Sequence, residues 1–141
     1  MEYKDIAAVS GKSGLFKVLS PVRSGVILES LNNEKKRIVA GIHQKVSVLD
    51  EISVFAHNKE GSVPLIEVMR KIYVEFDDDP GIDSTASSEE FKAFFKHILP
   101  EYDENRFYVS DMKKIVGWYN ILYKQLPDLI KKDQTSTEDE K

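Results

Sequence analysis

FDDDPGIDSTASSEEFKAFFKHIL, Phe76–Leu99, is the stretch that decides the fold, because the hydrophobic rhythm changes inside it. Asp77–Ala86 is rich in Asp, Pro, Gly and Ser, a composition that breaks regular structure and reads as an acidic linker. At Ser87 the pattern becomes helical. Ser87 and Glu90 have capping-box spacing, and Phe91, Phe94, Phe95, Ile98 and Leu99 recur three and four residues apart. Pro100 stops the run. Upstream of the linker, short apolar runs are interrupted by Gly, Asn and Ser, as strands are by turns. The chain therefore reads as α+β: a small, strongly bent antiparallel sheet or SH3-like barrel, followed by a helical C-terminal subdomain. The expected organisation is a β-rich N-terminal subdomain over 1–76 ending in a helix, a linker over 77–86, the helical subdomain over 87–132 and a disordered tail over 133–141.

Working upstream, Ser62–Phe76 predicts a helix capped by Ser62, with Pro64 in its first turn and Leu65, Val68, Met69, Ile72 and Phe76 on one face. Strands are expected at Gly14–Ser20, Val26–Leu31, Lys36–Ala40 and Ile52–Ala56. Turns are expected at Pro21–Gly25 and Asn32–Asn33. His43–Glu51 is ambiguous, with Ser47 as a possible cap of a short helical turn. Tyr3–Val9 reads as a short helix closed by Gly11. Downstream, Ser110–Leu126 is a second amphipathic helix, capped by Ser110 and ended or kinked at Pro127. Its stripe is Met112, Ile115, Val116, Tyr119, Leu122, Tyr123 and Leu126, widened by Trp118 and Ile121.

Composition narrows the function. Of 141 residues, 41% are hydrophobic and 10% aromatic, enough for a folded core. The net charge of −4 argues weakly against broad phosphate-backbone binding. That charge is uneven: Met1–Phe76 carries 11 Lys and Arg against 9 Asp and Glu, whereas Asp77–Lys141 carries 9 against 15. With no cysteine there is no disulfide scaffold, thiolate metal site or cysteine nucleophile. The acidic N-terminus does not read as a secretory signal, and no apolar run approaches a membrane span. A cytoplasmic location is the expectation.

No catalytic, phosphate or metal motif is complete. Gly11-Lys12-Ser13 matches the end of a phosphate-binding loop, but Ile6 stands where its first Gly is required. Asp79, Asp83 and Glu90 partly match a calcium loop, with Gly81 and Ser84 at positions that need a ligand and a glycine. His43, His57 and His97 lie in separate elements without metal-ligand spacing. An enzyme built from them and converging acids is the least supported reading, and no cofactor is expected. Asp103 and Arg106, three residues apart, can form a loop-ordering ion pair.

Two surfaces remain. Phe91, Phe94, Phe95, Tyr102, Phe107, Tyr108, Trp118, Tyr119 and Tyr123 are many rings for a two-helix unit to hide. The expected partner surface is Tyr108, Trp118, Tyr119 and Tyr123. The alternative is an RNA- or DNA-binding face on the β half around Lys35, Lys36 and Arg37, where stacking aromatics are scarce.

The segments IAAVSGKSGLFKVL (Ile6–Leu19), GVILESL (Gly25–Leu31) and NRFYVSDMKKIVGWYNILY (Asn105–Tyr123) resemble a family of short bacterial proteins known as a domain of unknown function. The resemblance runs to about Leu126, with VSDMKKIVGWYN its most distinctive part. It implies a β-rich N-terminal part and a helical C-terminal part, and carries no activity, cofactor or catalytic residue. The functional expectation is thus a non-enzymatic protein-binding or adaptor module, self-associating or held by a protein partner, without membrane attachment.

Overall fold

The computed structural model describes residues 2–131 except Asn33, Asp78 and Ser84; the expected tail lies outside the described residues. The chain divides into two compact units, one ending at Ile52 and the other beginning at Ser53. The division falls well before Phe76, so the first long helix belongs with the helical part.

The first unit is an antiparallel sheet of β1 (Ile6–Val9), β2 (Phe16–Val22), β3 (Gly25–Ser30), β4 (Arg37–Gly41) and β5 (Val46–Val48). The strand order is β4-β3-β2-β1-β5, so β4 and β5 are its two edges and the sheet is open, not a closed barrel. The register places Ala7 opposite both Phe16 and Val48, and Leu28 opposite Val18 and Ile38. One face therefore collects Val9, Phe16, Leu28 and Ala40, packed by Val18, Val26, Ile38 and Val46. The other face of β2–β4 carries the charged row Lys17–Glu29–Arg37, as alternation along a half-buried strand requires.

The structure corrects three local expectations in this unit. Tyr3–Val9 is a single 3₁₀ turn, Tyr3–Asp5, followed by strand β1. β1 is the strand between β2 and β5, and Ile6, Ala7 and Val9 are all buried. A run covered on both faces loses the period-2 pattern that would mark it. Pro21 is not a turn residue but continues β2 opposite Val26, past a bulge between Val18 and Ser20. Ser47 lies in β5, and the 3₁₀ turn Leu49–Glu51 follows it. Arg23 and Ser24 alone connect β2 to β3.

In the second unit, β6 (Ser53–Phe55) and β7 (Ser62–Pro64) pair as a hairpin, Val54 opposite Val63. Helix α1 (Leu65–Phe76) begins directly after β7. Ser62 is thus a strand residue and not the helix cap; Pro64 occupies the cap position without a side-chain bond. Helix α2 (Ser88–Ile98) has the expected capping box. Glu90 N–H donates to Ser87 Oγ at 3.1 Å, and Ser87 N–H donates to Glu90 Oε1 at 2.8 Å. Helix α3 (Val109–Gln125) includes Ser110 in its first turn; Tyr108 is its cap residue, and Asp111 accepts from Tyr108 N–H at 3.1 Å. A short helix α4 starts at Pro127 (Pro127–Lys131), where the missing N–H is harmless.

Most of each expected apolar stripe is buried: Leu65, Val68, Met69 and Ile72 on α1; Phe91, Phe94, Phe95 and Ile98 on α2; Met112, Ile115, Val116, Tyr119 and Leu122 on α3. Phe76, Tyr123 and Leu126 are only partly buried. Rings link the elements in series. Phe76 stacks on Phe94 at 5.1 Å, Phe94 meets Phe95 edge-on at 5.1 Å, Phe95 meets Phe107 at 5.2 Å and Phe107 meets Tyr102 at 5.6 Å. Each such contact adds about 0.5–1.5 kcal/mol beyond area burial.

Candidate functional site

Intramolecular packing takes most of the rings. Of the nine in the expected surplus, Phe91, Phe94, Phe95, Tyr102, Phe107 and Tyr119 are buried. Tyr119 is fully enclosed, and its hydroxyl donates to the backbone carbonyl of Asp77. It supports the fold from beneath and offers no ring to a partner. Tyr123 is half-buried and tied into the same unit: its hydroxyl donates to Asp77 Oδ1 at 2.6 Å, and Lys131 Nζ lies 5.5 Å from its ring. Tyr108 remains 59% exposed at the start of α3. Trp118 and Ile121 are half-buried, three residues apart on one flank of that helix.

Asp77 is a structural centre that the sequence pattern does not mark. It ends α1 with φ +57°, a conformation costing about 1–3 kcal/mol for a residue other than Gly. The tyrosine hydroxyls on α3 and the Asp77 N–H bond to Tyr73 O at 2.9 Å hold it there.

The basic triplet is divided. Arg37 sits on the outer sheet face with its Nε 3.8 Å from Glu29. Lys36 lies on the other side with Ile38, and the two line a hollow that Lys12 also borders. Lys35 takes φ +49° in the connecting turn. Lys35, Lys36 and Arg37 therefore do not form one continuous cationic face.

Among the imidazoles, His97 Nε2 stands 3.1 Å from Glu75 Oε1, with both side chains at least half exposed. His57 Nε2 is 3.8 Å from Asp103 Oδ1. Asp103 is the one buried charged residue among those described. Its Oδ1 accepts from Asn105 N–H at 2.9 Å and its Oδ2 from Arg106 Nε at 3.1 Å, the ion pair expected from their spacing. The Asn105 N–H foremost, then the Arg106 guanidinium and His57, hold its carboxyl below the usual carboxylate range against the opposing effect of desolvation. The Arg106 guanidinium also covers the Phe55 ring at 4.4 Å. The cluster ties β6 to the α2–α3 connection, with Asp103 N–H donating to Phe55 O at 2.9 Å.

Gly11-Lys12-Ser13 follows a strand, β1, but leads into β2 and not into a helix. It is a hairpin connection without the helix N-terminus on which a phosphate loop depends. Asp79, Asp83 and Glu90 line an open hollow together with Asn120. Among the described residues, no three His, Asp or Glu side chains converge in metal-binding geometry, and no helix is long and apolar enough to cross a membrane.

These features define a small two-part α+β protein: an open antiparallel sheet, then a hairpin-led helical unit. The chain belongs to the family described as Domain of unknown function (DUF6852), whose model matches residues 52–122. Residues 3–49 match a second model, Domain of unknown function (DUF5606). The two matches meet where the structure divides. The chain is also similar to a solution NMR structure from Bacteroides vulgatus, a Northeast Structural Genomics Consortium target, at 34% identity over 87% of each chain and a TM-score of 0.69. No curated protein matches.

Proposed function

We propose that this chain is a non-enzymatic protein-binding module whose docking surface lies on the helical unit, at the Trp118–Ile121 flank of α3 and the exposed Tyr108 ring at its start. One observation carries the reading: after six of the nine rings are enclosed, Tyr108 is still 59% exposed and Trp118 is not fully enclosed. Large amphipathic rings at low conformational cost are what interface anchors are made of. Tyr119 and Tyr123 serve that surface indirectly, by fixing α3 against the turn at Asp77. The occupant is a second copy of this chain or another cytoplasmic protein. Size-exclusion chromatography with light scattering tests self-association directly. Trp118→Ala and Tyr108→Ala should each weaken the dimer, or the captured complex, by about 1–2 kcal/mol. A strict monomer at high concentration that recovers no partner in a crosslinked pull-down rejects the proposal.

A further inference from the structure

At one end of the sheet in the first unit, the β1–β2 and β3–β4 connections enclose an open hollow of about 420 Å³, within the size range of small-molecule sites. Lys12 and Ser13 border it from one connection, and Asn32, Glu34 and Lys36 from the other; Phe16 and Ile38 supply its apolar part. Phe16 is 7% exposed and belongs to the core cluster, so that wall is rigid. With two ammonium groups against one carboxylate, the lining has an excess of positive charge.

Hydrogen bonds organise the described residues around Asn32. Asn32 Oδ1 accepts from Ser30 Oγ at 2.9 Å, Glu34 N–H at 2.9 Å and Lys35 N–H at 3.1 Å. Ser30 Oγ in turn accepts from Lys36 N–H at 2.8 Å. Backbone N–H groups can only donate, so this network fixes which end of the Asn32 amide is oxygen. The Nδ2 end is then the one left over, and no described residue accepts from it. Lys35 is held at φ +49° by the same bonds.

We propose that this hollow binds a small organic anion, a phosphate or carboxylate carried on a body with one flat apolar face. The head group is held by the Lys12 and Lys36 ammonium groups and by Asn32 Nδ2, and the body lies on Phe16 and Ile38. Lysines serve as point charges that accept either head group. Glu34 disfavours ligands of high negative charge.

The test is a titration of the ¹⁵N-labelled full chain with phenyl phosphate, benzoate and inorganic phosphate, read by amide shifts. Phenyl phosphate or benzoate should give saturable shifts confined to Gly11–Phe16 and Ser30–Ile38, and whichever binds more tightly names the head group. Inorganic phosphate, lacking the apolar body, should bind about tenfold more weakly or less. Asn32→Asp keeps the oxygen that organises the turn but replaces the free donor by charge, and should lower affinity about tenfold without altering the fold. Lys12→Glu with Lys36→Glu should abolish binding, while Lys17→Glu on the opposite sheet face should leave it intact. Failure of both aromatic anions to saturate overturns the proposal. So does inorganic phosphate binding as tightly as they do, an Asn32→Asp variant that binds normally, or an equal loss in Lys17→Glu.

Discussion

Gly25 and Gly41 face each other across β3 and β4, yet the structure assigns them opposite tolerance to a methyl group. A Cβ on Gly25 would stand 1.8 Å from Ala40 O, 2.8 Å from Ala40 C and 3.1 Å from Gly41 Cα. Ordinary carbon–oxygen contacts are about 3.3–3.6 Å, so β4 would have to retreat by more than about 1 Å. The obstacle is backbone, which cannot rotate aside as a side chain does. That retreat opens the end of the β3–β4 ladder, at about 1 kcal/mol for each backbone hydrogen bond lost. The φ of +156° at Gly25 adds to the strain. Gly25→Ala should therefore cost about 3–4 kcal/mol, a large part of a stability of about 5–15 kcal/mol. A Cβ on Gly41 meets nothing within 4 Å. Gly41→Ala should be neutral or stabilise by about 0.5 kcal/mol through the unfolded chain. Urea unfolding followed at the β1–β5 amide resonances measures both. Equal stabilities for the two variants would show that β3 and β4 do not pair in this register.

Tyr119→Phe leaves the Asp77 carbonyl without its buried donor and should cost about 1–3 kcal/mol, read as a fall of several degrees in the thermal midpoint. Ser87→Ala removes the α2 cap acceptor and should cost about 1 kcal/mol by urea unfolding; no change would mean the capping box contributes nothing. Asp103 has a depressed folded-state pKa, so its contribution is present above the unfolded carboxylate value and is lost as pH falls through the folded one. Asp103→Asn should flatten the acid side of the stability–pH curve; an unchanged acid limb in that variant would remove Asp103 from the account.

The helical stretches are legible in the sequence because their information is local. Ser87 with Glu90 and the Phe91–Leu99 stripe carry both cap and period within one short segment. The strand pairing is not local, and the misreadings follow from that. Ser62 and Pro64 look like a helix start, but Val63 has a partner in Val54 nine residues upstream, and the hairpin wins. Ile52–Ala56 reads correctly as a strand, yet nothing in its residues says that it pairs with β7 and not with β1–β5. The expected boundary at Phe76 therefore falls too late in the chain. On the surface, counting rings overestimates what the fold leaves outside. The edge-to-face series through Phe94, Phe95, Phe107 and Tyr102 shelters more aromatic area than two isolated stripes can. The Asp103–Arg106 pair is readable from spacing. A turn at Asn32 is readable too, but the hydrogen-bond network that organises it is not, since it depends on Ser30 and Lys36 meeting across a connection.

Because the sheet is open, β4 presents an outer row of backbone donors and acceptors to water, beside the exposed Val39 and Ile42. Such a margin can template a foreign strand, and cationic side chains are a common guard against it. Lys35, Lys36 and Arg37 stand at the entrance to this one. Their repulsion reaches about 10 Å at 0.1 M salt and about 3 Å at 1 M. Concentrated brine should therefore lower the barrier to precipitation of this chain sooner than its net acidity alone suggests.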